Sequence, residues 1–155
     1  MEPTRQSANI SHAKTLSEVA AWSDSRAVFR RNLRDWVDFV RTTTGRPRII
    51  GSVIVPPRLL RGRFPEGAVA DAWLAAYAEY VCLHGAAAIP EWALKPNRFL
   101  AEPSFDDGVT DPRQRALALD RSPEAFRRRN IYTTGVDLPL QMSNAPGRPD
   151  PGMLL

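Results

Sequence analysis

Cysteine is almost missing from this 155-residue chain. Cys82 stands alone, so no internal disulfide can form. That suits a reducing compartment, and a cytoplasmic setting is the expectation. Histidine is nearly as scarce: His12 and His84 are the only two. A zinc site usually draws three or four ligands from Cys, His and carboxylates. Cys82 and His84 are two residues apart, and on a helix they point about 200° away from each other. No metal and no cofactor is expected. Apolar runs are short. None approaches the roughly 20 residues of a membrane span, and no charged-then-apolar leader is seen, so neither membrane insertion nor secretion is expected.

Local catalytic signatures are missing too. There is no G-x-S-x-G, no phosphate loop, no G-x-G-x-x-G and no H-E-x-x-H. Asp106 and Asp107 are adjacent and suggest a capped acidic turn with Gly108. Asp35 and Asp38 share a helix face, but Arg31, Arg34 and Arg41 flank them and favour ion pairing over cation binding. No catalytic residue is expected, although a site assembled from distant residues would leave no local mark.

Arginine is what the chain has in quantity. Of 21 basic residues only Lys14 and Lys95 are lysines, and the net charge is +4. That modest figure hides alternating blocks. Residues 26–63 carry ten Arg against two Asp, a balance of +8. Residues 64–111 carry eight acids against two bases, a balance of −6. Residues 112–130 carry six Arg against two acids, a balance of +4. Three readings fit: pairing between blocks within the molecule, a basic surface for an acidic protein partner, or a surface for nucleic acid. Against the last, no helix-turn-helix, zinc-finger or RNP signature occurs. The aromatics also fall on helix faces rather than among arginines in a stacking loop.

The apolar periodicity predicts a mainly α fold. Residues 1–14 have no pattern and read as a flexible tail. Thr15-Leu16-Ser17-Glu18 has the form of a capping box and opens a short helix to about Trp22. A second helix spans about 25–43, with Phe29, Leu33, Trp36, Val37 and Val40 on one face and Arg30, Arg34 and Arg41 bordering it. Arg31–Asp35 and Arg34–Asp38 have the spacing of helical ion pairs. Residues 46–65 read as extended, with Ile49-Ile50 and Val53-Ile54-Val55 of strand composition. A third helix covers about 67–84, with Val69, Trp73, Ala76, Tyr77, Tyr80 and Leu83 on one face and alanines elsewhere. The proline-rich stretch 86–111 is mostly loop. Asp111-Pro112-Arg113-Gln114 and Ser122-Pro123-Glu124 each signal a helix start, and Ile131–Thr134 reads as extended. Residues 143–155 hold three prolines and two glycines and are expected to be a disordered tail. The expected architecture is a small helical bundle over 15–142, with a proline-rich wrapping segment, 86–138, laid across the helices.

One segment carries a family resemblance. Pro90-Glu91-Trp92, Pro96, Arg98-Phe99-Leu100 and Glu102-Pro103-Ser104-Phe105 form its first half. Arg115-Ala116-Leu117, Ser122-Pro123 and Phe126-Arg127-Arg128-Arg129-Asn130-Ile131 form its second. Together they resemble a bacterial family of small helical antitoxin-like proteins encoded beside nucleotidyltransferase-fold toxins. This chain departs from the pattern at Ser104, where the family usually has Trp, and it lacks the N-terminal helix-turn-helix of some members. The resemblance implies a partner of a nucleotidyltransferase-fold toxin, neutralising it by direct contact. A nucleic-acid-binding regulatory module is the alternative, and a homo-oligomer is left open.

The residues read on their own terms allow two roles. Trp92, Phe99 and Phe105 sit in a loop with no core of its own; they either pin it to the helices or anchor an interface. Arg127-Arg128-Arg129 covers most of a helical turn and cannot all be buried. It is either a solvated face with one Arg turned inward or a clamp for carboxylate or phosphate. The expected partner-binding set is Trp92, Arg98, Phe99, Phe105, Arg127, Arg128 and Arg129.

Overall fold

The structure is a computed structural model and describes residues 11–134 and Val136. It is mainly helical. In chain order come α1 (Leu16–Ala21), α2 (Arg26–Thr42), α3 (Arg46–Gly51) and α4 (Gly67–His84). Two 3-10 turns follow (Glu91–Leu94 and Pro96–Arg98), then β1 (Ser104–Phe105), α5 (Pro112–Arg121), α6 (Glu124–Arg127) and β2 (Ile131–Tyr132). The tail expected over 143–155 lies outside the described residues, as do residues 1–10. At its inner end the expected N-terminal tail is anchored: Ala13 is fully buried and His12 meets Asp35 at 3.2 Å.

Side-chain caps open three of the helices. Thr15 Oγ1 accepts from the Glu18 N–H at 3.0 Å, Ser25 Oγ from Val28 N–H at 3.2 Å, and Asp111 Oδ1 from Gln114 N–H at 2.8 Å. In the first and last, the return bond falls one residue earlier than in a standard capping box. Glu18 accepts from Lys14 N–H, and Gln114 accepts from Thr110 N–H, each at 2.8 Å. Ser122 does not cap α6. Its hydroxyl donates back to Ala118 C=O at 2.5 Å and accepts Thr133 N–H at 2.9 Å, tying β2 to the end of α5.

The extended reading of 46–65 is corrected at its start, where Arg46–Gly51 is helix. Pro47 sits in the first turn, where its missing N–H costs nothing, so it opens a helix rather than stopping a strand. Burial of Ile49 then overrides the β preference of the isoleucine pair. Just beyond, Ser52 ties three helices together. Its hydroxyl accepts from Trp36 Nε1 at 3.0 Å, and its carbonyl accepts the Leu16 N–H at 2.9 Å.

α4 is the central element, and its burial differs from the single apolar face expected. Asp71, Ala72, Leu74, Ala75, Ala76, Ala78, Glu79, Val81 and Cys82 are all buried, while Trp73, Tyr77 and Tyr80 are partly covered and Leu83 is exposed. Small side chains let neighbouring backbone approach on several sides. The closest approach is at Gly67, where a Cβ would lie 2.0 Å from the Leu60 carbonyl oxygen. The larger core packs α1, α2, α3 and the first 3-10 turn against α4. A smaller one is centred on Phe126, which meets Trp73 and Tyr77 edge-on at 5.4 and 5.1 Å. The wrapping segment crosses α4 and closes with a two-residue parallel ladder, Ser104 opposite Ile131 and Phe105 opposite Tyr132. The extended Ile131 segment therefore pairs with 104–105.

Candidate partner-docking groove

Two groups of charged residues emerge from this fold. The first is interior. Asp71 and Glu79 stand two turns apart on α4, and both are fully buried. Asp71 accepts the backbone N–H groups of Leu60 and Arg61 at 2.6 and 3.1 Å and faces Arg98 at 3.6 Å. Arg98 stacks on Trp92, 4.8 Å from the ring centre, and donates to Pro57 C=O at 2.5 Å. Glu79 receives a 2.6 Å bond from the fully buried Arg129, which also donates to Ala93 C=O at 2.7 Å and Ala125 C=O at 2.8 Å. Arg129 stacks on Phe99 at 4.5 Å. Each buried acid thus holds one buried arginine of the wrapping segment, and each of these two arginines covers an aromatic ring of that same segment.

Burial governs the electrostatics here. It pushes the Asp71 carboxyl above the usual carboxylate range, with the Leu60 and Arg61 N–H groups and Arg98 opposing. It lowers Arg98 against the pull of Asp71, and Arg129 against the pull of Glu79. Desolvation outweighs pairing on both sides of the Asp71–Arg98 pair, as expected for buried ions. Burial also lifts the Cys82 thiol to about 11, which keeps it protonated and unreactive at neutral pH.

The second group is at the surface. A groove of about 520 Å³ lies between α2, α4 and the 104–107 segment. Along one side runs the α2 row Arg26, Arg30, Arg34 and Arg41; Phe29, Leu33, Val37, Phe64, Val69 and Trp73 supply the apolar lining. Beneath it Trp36 and Tyr77 join α2 to α4 edge-to-face at 5.3 Å. Asp107 accepts bonds from Arg26 at 2.5 Å and from Arg30. These two arginines hold its carboxyl below the usual carboxylate range, Arg26 contributing most. The helical pairs expected at Arg31–Asp35 and Arg34–Asp38 do not form; Asp35 faces His12, and Arg34 has no ion pair among the described residues.

The expected partner-binding set therefore divides. Trp92, Arg98 and Arg129 are buried and hold the wrapping segment in place, with Phe99 under Arg129. Their burial favours pinning the loop over meeting a partner: Arg129 is fully buried, Arg98 and Trp92 nearly so, and Phe99 is partly buried. Arg127 and Arg128 are exposed, and Arg128 lies 3.3 Å from Glu79. Phe105 is half-buried, lines the groove, and carries Arg115 over its ring at 4.7 Å. The residues sequence reasoning missed are Asp71, Glu79, Arg26 and Asp107. For the first two a signal was present: an acid isolated in an alanine-rich helix with apolar neighbours on every side.

Among the described residues, no cluster of three or more His, Cys, Asp or Glu is placed to hold a metal, and no helix is long and apolar enough to cross a membrane. No protein-family model matches the chain, and neither does any curated protein or solved structure.

Proposed function

We propose that this chain is an antitoxin-like binding protein that neutralises a cognate nucleotidyltransferase-fold toxin by direct contact, with the α2–α4 groove as its docking surface. One observation supports docking there: a row of arginines beside an apolar, aromatic-lined groove at the surface. Trp, Tyr and Arg dominate binding energy at protein interfaces, and a basic row speeds association with an acidic partner. The toxin itself comes from the family resemblance of the 86–138 segment. That segment, through Ser104–Asp107, supplies one side of the groove. The reading is binding without catalysis, in a cytoplasmic setting.

Co-expression with the protein encoded beside it, followed by gel filtration at micromolar concentration, tests this. Co-elution with the wild type and its loss with Arg30→Glu/Arg34→Glu are expected. Failure of the wild type to co-elute overturns direct masking. The arginine row also favours a second reading, nucleic-acid binding. Titration with mixed DNA and RNA at two salt concentrations addresses it, since phosphate contacts are strongest at low salt; no binding there excludes it.

A further inference from the structure

We propose that the groove takes an acidic amphipathic helix of a protein partner, and that Asp107 stands in for that helix's carboxylate while the groove is empty. The inference rests on the groove being a docking surface. Its starting point is an ion-pair arrangement that helix packing does not require. Asp107 reaches from the acidic turn to two arginines on α2, 81 and 77 residues away in sequence. All three side chains stay about half exposed, at 49% for Asp107 and 45% and 47% for Arg26 and Arg30. A pair this open to water is weakly held and readily exchanged.

The row continues past the turn. Arg34 lies one turn beyond Arg30, lines the same groove, and has no ion pair among the described residues. Residues four apart on a helix advance by about 6 Å. A partner helix with a carboxylate at every fourth position repeats at that same distance, so it meets Arg26, Arg30 and Arg34 in register. Its neighbouring apolar stripe then faces Phe29, Leu33 and Trp73. Helices recognised in grooves use this i, i+4 pattern of anchors.

The carboxylates of the groove decide between a peptide and a nucleic acid. Glu66, Asp106 and Asp107 line it as well, Glu66 3.8 Å from Arg26 and Asp107 bonded to Arg26 and Arg30. A phosphodiester strand carries charge along its whole length and meets all three. A helix carries acid on one edge only, so it competes with Asp107 for the arginines and turns its apolar stripe to the rest of the groove. Seating such a helix transfers Arg26 and Arg30 from Asp107 to the incoming carboxylates. The wild-type affinity is then reduced by the fraction of molecules in which Asp107 holds them.

Fluorescence anisotropy with the full chain at low salt tests both parts. The probe is a labelled 18-residue peptide of Ala, Leu and Glu with Glu at every fourth position beside a Leu stripe. A Lys-for-Glu peptide and a mixed-sequence single-stranded RNA serve as comparators. The Glu peptide is expected to bind at least tenfold more tightly than the Lys peptide. Asp107→Asn is expected to tighten it about three- to tenfold, the scale of two exposed pairs. Arg34→Ala is expected to weaken it in both backgrounds with the thermal midpoint unchanged. No binding of the Glu peptide to either protein overturns the docking surface and the inference with it. Binding that Asp107→Asn leaves unchanged overturns the stand-in role and leaves the docking surface standing. Tighter binding of the RNA than of the Glu peptide overturns the choice of occupant.

Discussion

Arg26, Arg30 and Arg34 along α2 and Arg98 and Arg129 of the wrapping segment carry the same charge in opposite settings. Arg98 and Arg129 are inside, each opposite a buried α4 acid and each stacked on an aromatic ring. Arg26, Arg30 and Arg34 are outside, two of them shared by a half-exposed aspartate and one without an ion pair among the described residues. Desolvation makes the difference. A lone buried ion costs several kcal/mol, so interior pairs cannot exchange partners without loosening the fold. Surface pairs are worth at most about 1 kcal/mol and exchange freely. The interior set therefore holds the wrapping segment, whose 104–107 stretch lines the groove, and the surface set stays open to exchange.

Breaking the interior pairs is expected to have the largest effect. Glu79→Ala leaves Arg129 buried without its counter-ion and is expected to cost about 3–5 kcal/mol in urea unfolding. The Glu79→Leu/Arg129→Met double variant is expected to lose less than Glu79→Ala, because no lone charge stays buried. Next comes the junction that Asp71 organises. Gly67→Ala drives a Cβ into the Leu60 carbonyl and is expected to cost at least about 2 kcal/mol. A gain is expected just past the end of α4. Ala86 holds φ at 55°, in the left-handed region that glycine enters freely. Ala86→Gly is expected to stabilise by about 0.5 kcal/mol in thermal unfolding, the relieved strain exceeding the added chain entropy.

The two aspartates are expected to respond to pH with opposite signs. Asp107 has a lowered folded value, so its contribution is complete above about pH 4 and is lost as pH falls through that value. Asp71 has a raised folded value, so its ionisation costs stability as pH climbs from about 4 through that value. Urea unfolding between about pH 3 and 6 checks this. Asp107→Asn is expected to converge on wild type at the acid end. The gap between Asp71→Asn and wild type is expected to move in the variant's favour as pH rises. Smallest of all, Arg34→Ala is expected to change stability by less than about 0.5 kcal/mol.

Much of the helical frame was legible from the chain. Thr15 and Asp111 announce their helices because a capping hydroxyl or carboxylate is a local requirement. The limits of α4, Gly67 and His84, follow from local pattern as well. The α3 helix was not legible, since Ile49-Ile50 favours a strand locally and only burial against distant helices reverses it. The site was half legible. Arg30, Arg34 and Arg41 could be placed beside the apolar stripe of α2 from spacing alone. That Asp107 would reach Arg26 and Arg30, and that Arg98 and Arg129 would turn inward to Asp71 and Glu79, depends on contacts dozens of residues apart. A block balance of +8 or −6 carries no information about which partner each charge finds.

The central claim is that Arg98 and Arg129 are structural and that Arg26, Arg30 and Arg34 are available. Arginine Nε–Hε correlation NMR tests it most directly, recorded with and without the Glu-rich helical peptide. Slow solvent exchange and unmoved signals are expected for Arg98 and Arg129, with fast exchange and peptide-dependent shifts for Arg26, Arg30 and Arg34. Exchange at Arg98 or Arg129 as fast as at Arg34, or shifts spread equally over both groups, would contradict the account.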